Sequence, residues 1–557
     1  MKQRRVIAAL FASLMLPASG LAIAAQGAGP RAAAPPAATP ASPPQSATPG
    51  ARTASANDPQ APTIAMYGYS SARPELAEID ALVAAAMHEW SVPGLAVAVV
   101  ADGEITLSKG YGHRHAEARL PVTPETLFPI ASLTKPFTAT VISALVADGV
   151  LEWDRPVIEY LPDFALSDPE LTRAVTIRDL MTHQSGLPRH DFVWYGTDLS
   201  RADLYERLRY LEPSRPLREE WQYQNLMFMT AGYLAEQVTG RSWEELVRDR
   251  IFVPLGMRHS TFSLQALKQS ADIAFPYAEG PRGRRRVPFR SMDAVGPAGS
   301  INATVDELVR FVLLQLAGGT YDGRRVLAPE IVQRMLEVQV ELPADAVDPA
   351  LGKSGYGLGL VLSEHAGRRL AHHEGGVDGF VSLLSFMPDE GIGVVVLTNY
   401  SGDNPVPWIL SRTIYDRLLG RRDPVDWLAY ARETAPLRAP EQRRVRVTSS
   451  PVGSWRGAPQ RPLPADYAGS YWHPAYGQVE IVLSGGELVM RFHGIDAELA
   501  PAGDHRYRVA QGSLSGLTLT FFGNAISRID RVAIPWEPRV SDIVFVRRVT
   551  ADNHEGS

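Results

Sequence analysis

Hydrophobic and polar residues alternate along the chain with two periodicities, one typical of helices and one typical of strands. From Glu75 to Trp90 the apolar residues fall on one stripe of a helix, so an amphipathic helix is predicted there. Leu95 to Val100 is a short β-rich run. Asp102-Gly103 then supplies a hairpin turn into a second strand at Ile105 to Leu107.

Segments with the helical periodicity and segments typical of strands both occur as far as about residue 430. The pattern predicts helices from Lys135 to Val150 and from Trp243 to Phe252, whereas the apolar runs Val381 to Met387 and Ile392 to Leu397 are typical of buried strands. Strands therefore cluster at the two ends of this region and helices in its middle. The expected fold class is α/β (α+β), an antiparallel sheet flanked by helices, over residues 64–434.

The composition changes at 435–464, which is rich in Pro, Arg, Ser and Gly and is predicted to be a linker. After it, from 465 to 550, short strands alternate with turns, as expected for a small all-β barrel or sandwich. The predicted strands are Gly477 to Leu483, Glu487 to Phe492, Leu517 to Phe522 and Ile543 to Val546.

The first residues have the pattern of an export signal. Lys2, Arg4 and Arg5 are positive, Val6 to Leu16 is apolar and uncharged, and Ala22-Ile23-Ala24 offers small residues for cleavage. Residues 1–24 are therefore predicted to be a signal peptide of an exported, periplasmic or secreted protein, with a retained anchor as the alternative. Residues 25–63 are rich in Ala, Pro, Ser and Thr and are predicted to be a disordered linker.

Composition narrows the classes of function. The chain has no cysteine, which excludes disulfides, thiolate catalysis and cysteine-based zinc sites. A formal net charge of -6 over 557 residues argues against nucleic acid as the main partner. His113 and His115 could share a strand face, but no third ligand is near in sequence, so neither a metal nor a cofactor is predicted. After the signal, no stretch has the apolar length of a membrane span.

The first candidate for chemistry is Ser132 with Lys135. If a helix begins near Ser132, the two side chains lie on the same face, and the helix dipole disfavours a positive charge on Lys135. A serine hydroxyl is a poor nucleophile until its proton is removed, and a neutral amine within hydrogen-bond reach can remove it. The alternative is a helix cap followed by a surface lysine.

Two further segments carry groups suited to the same reaction. Tyr223 can shuttle protons if a neighbouring cation lowers the pKa of its phenol, and Asn225 can point the same way from extended backbone and hold nucleophile and substrate. A buried structural tyrosine is the alternative. In His373-Glu374-Gly375-Gly376 the glycines admit substrate to the backbone, and a free N–H can complete an oxyanion hole. His373 could hydrogen-bond a substrate carboxylate or carbonyl, unless the segment is only a hairpin.

In order and spacing these segments resemble the motifs Ser-x-x-Lys, Tyr-x-Asn and His-x-Gly of the serine β-lactamase and penicillin-binding-protein superfamily, with its class C β-lactamases, family VIII esterases and D-aminopeptidases. Leu180 to Pro188 and Pro297 to Ser300 are similar to other segments of that superfamily. The resemblance covers about residues 74–425 and implies a β-lactamase-like fold with a helical subdomain. Tyr467 to Tyr471 resembles the start of a lipocalin-like domain, which in the family can shape the active-site entrance or mediate assembly.

The resemblance also implies roles for individual residues. Ser132 would form an acyl-enzyme, with Lys135 and Tyr223 sharing general-base duty. Asn225 would orient the substrate, and the backbone N–H groups of Ser132 and Gly376 would form the oxyanion hole.

One position departs from many members of the superfamily. His373 stands where they have a lysine, which removes a full charge that would grip a substrate carboxylate. The expected substrates are therefore small esters, amides or short peptides, including peptides with D-amino acids. A β-lactamase or D,D-carboxypeptidase is one alternative. A non-catalytic peptide- or cell-wall-binding protein on the same fold is the other.

Overall fold

A computed structural model describes residues 65–71, 73–280, 282–438, 463–511, 514–523 and 528–548. The predicted signal peptide, the predicted spacer up to residue 63 and most of the predicted linker lie outside these ranges. None of the helices within them has the length and apolar character needed to cross a membrane.

The larger folded unit is built on one antiparallel sheet. Its strands are β1 (Met66–Ser70), β2 (Gly94–Ala101), β3 (Glu104–His115), β4 (Val340–Glu341), β5 (Gly355–Tyr356), β6 (Val361–His365), β7 (Arg368–Val377), β8 (Phe380–Met387) and β9 (Ile392–Thr398). They follow the order β1-β3-β2-β9-β8-β7-β6-β5-β4, and the short strand Leu120–Pro121 also pairs with β3. Strands from the two ends of the region therefore meet at β2 and β9, and the predicted fold class is confirmed.

Most helices come from the middle of the region. They are α1 (Ile79–Glu89), α2 (Thr134–Ala147), α3 (Val157–Tyr160), α4 (Pro169–Ala174), α5 (Ile177–Thr182), α6 (Arg201–Arg207), α7 (Asn225–Thr239), α8 (Trp243–Val247), α9 (Val253–Leu255), α10 (Leu264–Gln269), α11 (Gly296–Gly299), α12 (Val305–Leu316), α13 (Pro329–Met335), α14 (Val406–Leu418) and α15 (Trp427–Arg438). Two-residue strands lie at Phe128–Pro129, Tyr277–Ala278, Arg285–Arg286, Asn302–Ala303, Thr320–Tyr321 and Arg324–Arg325.

The sheet is buried on both faces. In β2, Leu95 and Val97 pack with α1 and α14 in one core, whereas the intervening Ala96 and Ala98 pack in the other core with α2 and α12. Because successive side chains of a strand point to opposite faces, a strand covered on both sides is apolar at every position. This burial explains the continuous apolar runs in the sequence.

Two predicted boundaries differ from the structure. The segment from Trp243 to Phe252 begins as α8 but becomes a π-helical turn at Arg248–Phe252. Helix α15 runs into the stretch predicted as linker from residue 435, because Trp427 and Ala431 are buried against Ile409 of α14 and anchor the helix.

The smaller unit is a closed eight-stranded barrel. A short helix, α16 (Pro464–Tyr467), precedes it, and its strands are β10 (Gly469–His473), β11 (Gly477–Ser484), β12 (Glu487–Phe492), β13 (Ile495–Gly503), β14 (Arg506–Val509), β15 (Thr518–Gly523), β16 (Ile529–Ile534) and β17 (Ile543–Arg547). The first and last strands pair through Tyr471 with Arg547 and Trp472 with Val546, which closes the barrel. The predicted small all-β barrel is confirmed.

Candidate active site

Ser132 lies in a single 3-10 turn, Ala131–Leu133, directly before α2. The preceding residue, Ala131, has a φ of 47°, a left-handed conformation that non-glycine residues rarely adopt. The surroundings hold this strained turn: the Ile130 N–H donates to the carbonyl of Ile301 at 3.0 Å, and the Ser382 hydroxyl donates to the carbonyl of Ile130 at 3.0 Å. Backbone strain of this kind is often found next to reacting groups.

Lys135 is the second residue of α2, and its side chain is fully buried. Its Nζ lies 3.0 Å from Ser132 Oγ, 2.8 Å from Asn225 Oδ1 and 2.8 Å from the carbonyl oxygen of Ala298. Burial lowers the pKa of Lys135 well below its usual value, and the nearby charge of Arg189 lowers it further. This lowering favours the neutral amine.

The three neighbours of Nζ define what a neutral Lys135 does. A neutral amine has two N–H donors and one lone pair. Asn225 Oδ1 and the Ala298 carbonyl can only accept, so they take the two N–H groups. When the amine is neutral, its lone pair is thus left for the Ser132 hydroxyl, whose Oγ lies 3.0 Å from Nζ. The geometry thus brings a candidate general base within hydrogen-bond distance of the candidate nucleophile.

Tyr223 reaches Ser132 from the other side. Burial raises the pKa of Tyr223 above its ordinary value, although its hydrogen bond to Ser132 and the charge of Arg189 both lower it. Neighbouring rings remove water from the phenol, and this burial outweighs the effect of the nearby cation. The closest of these rings, that of His183, has its centroid 4.5 Å from that of Tyr223. Tyr223 consequently stays a protonated phenol, which can relay a proton but is not a resident base.

His183 shows how the segment from Leu180 to Pro188 contributes to the site. It caps the end of α5 in a left-handed conformation with a φ of 61°, and its Nδ1 accepts the backbone N–H of Gln224 at 3.0 Å. Burial lowers its pKa well below the usual value, so the ring stays neutral and can accept this bond. The segment that carries Tyr223 and Asn225 is fixed from this side.

Asn225 is oriented by a carboxylate that the sequence did not reveal. Asp191 Oδ1 accepts from Asn225 Nδ2 at 3.1 Å and from Trp194 Nε1 at 3.0 Å, while Asp191 Oδ2 accepts from Arg189 Nε at 2.5 Å. Because the amide nitrogen of Asn225 faces Asp191, its oxygen must face Lys135. The guanidinium of Arg189 lies over the ring of Tyr223, 5.0 Å from its centroid.

The third predicted segment forms the opposite wall. Strand β7 pairs with β8 through Val377, but its pairing with β6 ends at His372, so from His373 onward one edge has no neighbour among the described strands. His373 Nδ1 lies 2.6 Å from the carbonyl of Glu374 and therefore carries the ring proton. Burial lowers the pKa of His373 to about 3, so Nε2 is an acceptor. In this tautomer Nε2 faces the hydroxyl of Tyr356 at 3.5 Å, and binding of a substrate by His373 remains a prediction.

Gly375 packs against Ile130, two residues before Ser132. A Cβ atom at this position would lie 2.1 Å from the Ile130 carbonyl oxygen and 2.3 Å from Ser382 Oγ. Gly375→Ala is expected to lower the free energy of unfolding by about 1–3 kcal/mol and to reduce activity, because β7 and the turn before Ser132 must separate. Chemical denaturation and an ester-hydrolysis assay measure the two effects.

Gly367→Ala is the matched control, at the hairpin that begins the same strand. Gly367 has a φ of 74°, and a Cβ atom added there would have no neighbour within 4 Å. Only backbone strain of about 1 kcal/mol is therefore expected, with activity retained. Equal activity in the two variants would contradict a packing role for Gly375.

The predicted residues meet in one cavity. Ser132, Tyr223, Asn225, His373 and Gly376 line it, Lys135 lies behind Ser132, and Gly375 packs against Ile130. Sequence reasoning missed the cavity residues Arg189, Asp191, Trp194, Tyr195 and Asp378. The available signal was a charged Arg-x-Asp pair immediately after the apolar turn that ends at Pro188.

The β-lactamase family model matches residues 79–412, which is well over half of the chain. The chain belongs to the β-lactamase family. Membership in this serine-hydrolase family agrees with the arrangement of Ser132 and Lys135. The family match ends before the barrel, so the barrel is an addition to the β-lactamase unit.

Two relatives and one solved structure extend this result. The chain is 32% identical over 418 residues to unguisins hydrolase ungD' of Aspergillus campestris, covering 71% of this chain and 76% of that protein. It is 31% identical to penicillin-binding protein 4 of Amycolatopsis lactamdurans, covering 60% and 88%. The octameric penicillin-binding protein homologue from Pyrococcus abyssi is 22% identical with a TM-score of 0.56, over 84% of this chain and 99% of that chain. This last likeness shows the fold of the β-lactamase family.

Proposed function

We propose that this protein is a two-step acyl-transfer hydrolase that forms an acyl-enzyme on Ser132. Its substrates are small esters, amides or short peptides, including peptides with D-amino acids. The observation that carries the proposal is the position of Lys135 Nζ, which is buried and lies 3.0 Å from Ser132 Oγ; its lowered pKa supports the proposal. A non-catalytic binding protein would have no need of a buried amine held against a serine.

Acylation begins when the Ser132 hydroxyl gives its proton to the lone pair of Lys135 while Oγ bonds to the substrate carbonyl carbon. The carbonyl oxygen becomes an oxyanion, which the backbone N–H groups of Ser132 and Gly376 stabilise. Tyr223 donates its phenolic proton to the leaving group and is reprotonated from Lys135. The carbonyl–leaving group bond then breaks.

Deacylation uses the same groups in reverse. Water attacks the ester on Ser132 and gives its proton through Tyr223 to Lys135, which has returned to the neutral form. The proton then passes to Ser132 Oγ as the acid product leaves. The hydrogen bonds from Lys135 to Asn225 and Ala298 hold the amine in place through both steps.

The names of the relatives support a hydrolase with a site of the penicillin-binding type. One is an unguisins hydrolase and the other a penicillin-binding protein. We also propose that the reaction takes place outside the cytoplasm, on the basis of the export-signal pattern in residues 1–24.

A second candidate is a β-lactamase or D,D-carboxypeptidase, and Arg189 favours it. Within the described residues, the only hydrogen bond of its guanidinium is from Nε to Asp191, so the terminal nitrogens have no acceptor. The side chain is 31% exposed and lines the cavity with Ser132. A free guanidinium edge is suited to binding a carboxylate through two hydrogen bonds. Arg189 could therefore supply the charge that is lost at position 373.

Intact-protein mass spectrometry with a fluorophosphonate and with penicillin tests both candidates. Phosphonylation of the wild type supports an activated serine. A persistent penicillin adduct favours the second candidate, whereas fluorophosphonate labelling alone favours the ester, amide and peptide substrates. The absence of both adducts would rule out the acyl-enzyme mechanism.

Arg189→Met tests the carboxylate site separately. For a peptide that ends in D-Ala-D-Ala, the wild type is expected to favour the free carboxylate over the carboxyamide by about tenfold to hundredfold in kcat/KM, because hydrogen bonds to charged groups are strong. Arg189→Met should remove this preference. Arg173→Met is the control, since Arg173 is exposed and pairs with Glu170 outside the cavity. Equal rates on both peptides in the wild type would exclude a carboxylate site at Arg189.

A further inference from the structure

The loop that carries Asp191 is anchored on the barrel. His190, immediately before Asp191, donates its backbone N–H to Glu537 Oε2 at 3.0 Å. Its Nε2 lies 2.9 Å from the carbonyl of Glu212, and its Nδ1 lies 2.7 Å from the hydroxyl of Tyr476. Because a carbonyl only accepts, Nε2 carries the ring proton and Nδ1 accepts from Tyr476. The backbone and both ring nitrogens of His190 are therefore fixed by hydrogen bonds.

The residue after Asp191 is held by the barrel as well. The ring of Phe192 stacks on that of Trp536 with centroids 5.4 Å apart and an interplanar angle of 29°. A little further on, His493 Nδ1 donates to the carbonyl of Tyr195 at 3.2 Å. The barrel therefore contacts both sequence neighbours of Asp191, and Asp191 itself is buried.

From Asp191 the hydrogen bonds continue to the candidate base. Asp191 Oδ1 accepts from Asn225 Nδ2, and Asn225 Oδ1 accepts from Lys135 Nζ. If the amide of Asn225 turned over, its nitrogen would face the Lys135 amine and its oxygen would face the Asp191 carboxylate. The contact of that oxygen with the carboxylate would be repulsive, and the nitrogen would donate to the Lys135 lone pair and withdraw it from Ser132, so Asp191 selects the orientation that leaves the lone pair for Ser132.

We propose that Asp191 is a positioning residue for Lys135, acting through Asn225, and that the barrel holds Asp191 in place through His190 and Phe192. The proposal rests on the proposed function of Lys135 as the base. On this proposal the barrel has a defined part in catalysis. The hydroxyl of Tyr476 in the barrel is connected to the amine of Lys135 through hydrogen bonds and the short loop that carries His190 and Asp191.

The charged and titratable groups around Lys135 determine the expected pH response. Arg189 and Asp191 shift the pKa of Lys135, and Lys135 in turn shifts the pKa values of His183 and His373. The phenol of Tyr223 lies beside these groups. The two histidines have lowered pKa values and the phenol a raised one, so all three are neutral near pH 7. Of the groups named here, Arg189 and Asp191 act on Lys135 through their charges. Burial and Arg189 lower the pKa of Lys135, and Asp191 opposes them.

Asp191→Asn is therefore expected to change the pH–rate profile in two ways. The plateau of the acylation rate should fall by about 10²-fold, because the base is no longer aligned with Ser132. The acid limb should also move to lower pH, since removal of the negative charge lowers the pKa of Lys135 further. The shift of the limb measures the electrostatic effect of Asp191 on Lys135, and the fall of the plateau measures the loss of alignment.

Tyr476→Phe tests the barrel contact without changing a charge. It removes only the hydroxyl that donates to His190, and a fall of about threefold to tenfold in the acylation rate is expected. Tyr471→Phe is the matched control, because the Tyr471 hydroxyl donates within the barrel, to the carbonyl of Tyr467 at 2.8 Å. This control should keep the wild-type rate.

The outcomes separate this inference from the proposed function. The inference alone would be overturned by the following combination of results. The wild type is acylated on Ser132, Asp191→Asn and Tyr476→Phe are both acylated within twofold of the wild-type rate, and the acid limb of the pH–rate profile does not move. A wild type that shows no acylation would overturn the proposed function. Thermal melting confirms folding of each variant, and Tyr476→Phe decides the question if Asp191→Asn does not fold.

Discussion

Ser132→Ala is expected to abolish formation of the acyl-enzyme and to lower the rate of ester hydrolysis by about 10⁴-fold or more, as the loss of a catalytic serine does in serine hydrolases. The alanine removes Oγ, the atom that lies 3.0 Å from Lys135 Nζ, and leaves a methyl group that cannot attack a carbonyl. Mass spectrometry should show no adduct with a fluorophosphonate. Steady-state kinetics with an activated ester gives the size of the loss.

The fold should not change in this variant. Ser132 contributes a small side chain to a turn that is held by backbone and Ser382 hydrogen bonds at Ile130, so the melting temperature should remain close to that of the wild type. Ser185→Ala is the control, because Ser185 lies buried in the turn after α5, where its hydroxyl accepts the Leu187 N–H. Full labelling of Ser132→Ala would place the nucleophile at another residue.

Lys135→Met is expected to slow acylation by about 10²-fold to 10⁴-fold, the usual contribution of a general base. Methionine has a similar length, and its thioether sulfur is far too weak a base to take the Ser132 proton at neutral pH. The wild type should lose activity as pH falls through the lowered pKa of Lys135, because protonation occupies the lone pair. The variant should lack this acid limb, and stopped-flow measurement of acylation from acid to mildly alkaline pH compares the two.

Folding of Lys135→Met must be measured alongside. Asn225 Oδ1 and the carbonyl of Ala298 lose their donor, and a buried acceptor without a partner costs about 1–3 kcal/mol. Removal of a buried amine that must be kept neutral offsets part of this cost. A folded variant with an unchanged acylation rate would show that Lys135 is not the base.

The sequence predicted the residues of the site better than their environment. Ser132 and Lys135 are three positions apart, and helical spacing alone places them on one face. The direction of the Tyr223 pKa could not be predicted, because the ring of His183 that helps exclude water comes from a segment forty residues earlier in the chain. Burial is a property of the packed structure, whereas a cation near Tyr223 could be expected from the motifs.

The same reason explains why Asp191 was missed. An aspartate in a loop without a motif is ordinarily expected to be solvated, and nothing in the local sequence shows that it accepts from Trp194 and Asn225. The sheet, in contrast, was predictable, because the apolar runs in β8 and β9 are long enough to specify strands by themselves. The tautomer of His373 depends on one backbone carbonyl and was likewise beyond the sequence.

The stacking of Phe192 on Trp536 also bears on how the protein responds to heat. A small barrel buries a smaller fraction of its surface than a large α/β unit, so it is expected to open at a lower temperature. When it opens, the loop with Asp191 loses its support while the sheet behind Ser132 is still intact. The upper working temperature is then set by the smaller unit, and attempts to make a more durable hydrolase should begin with the barrel.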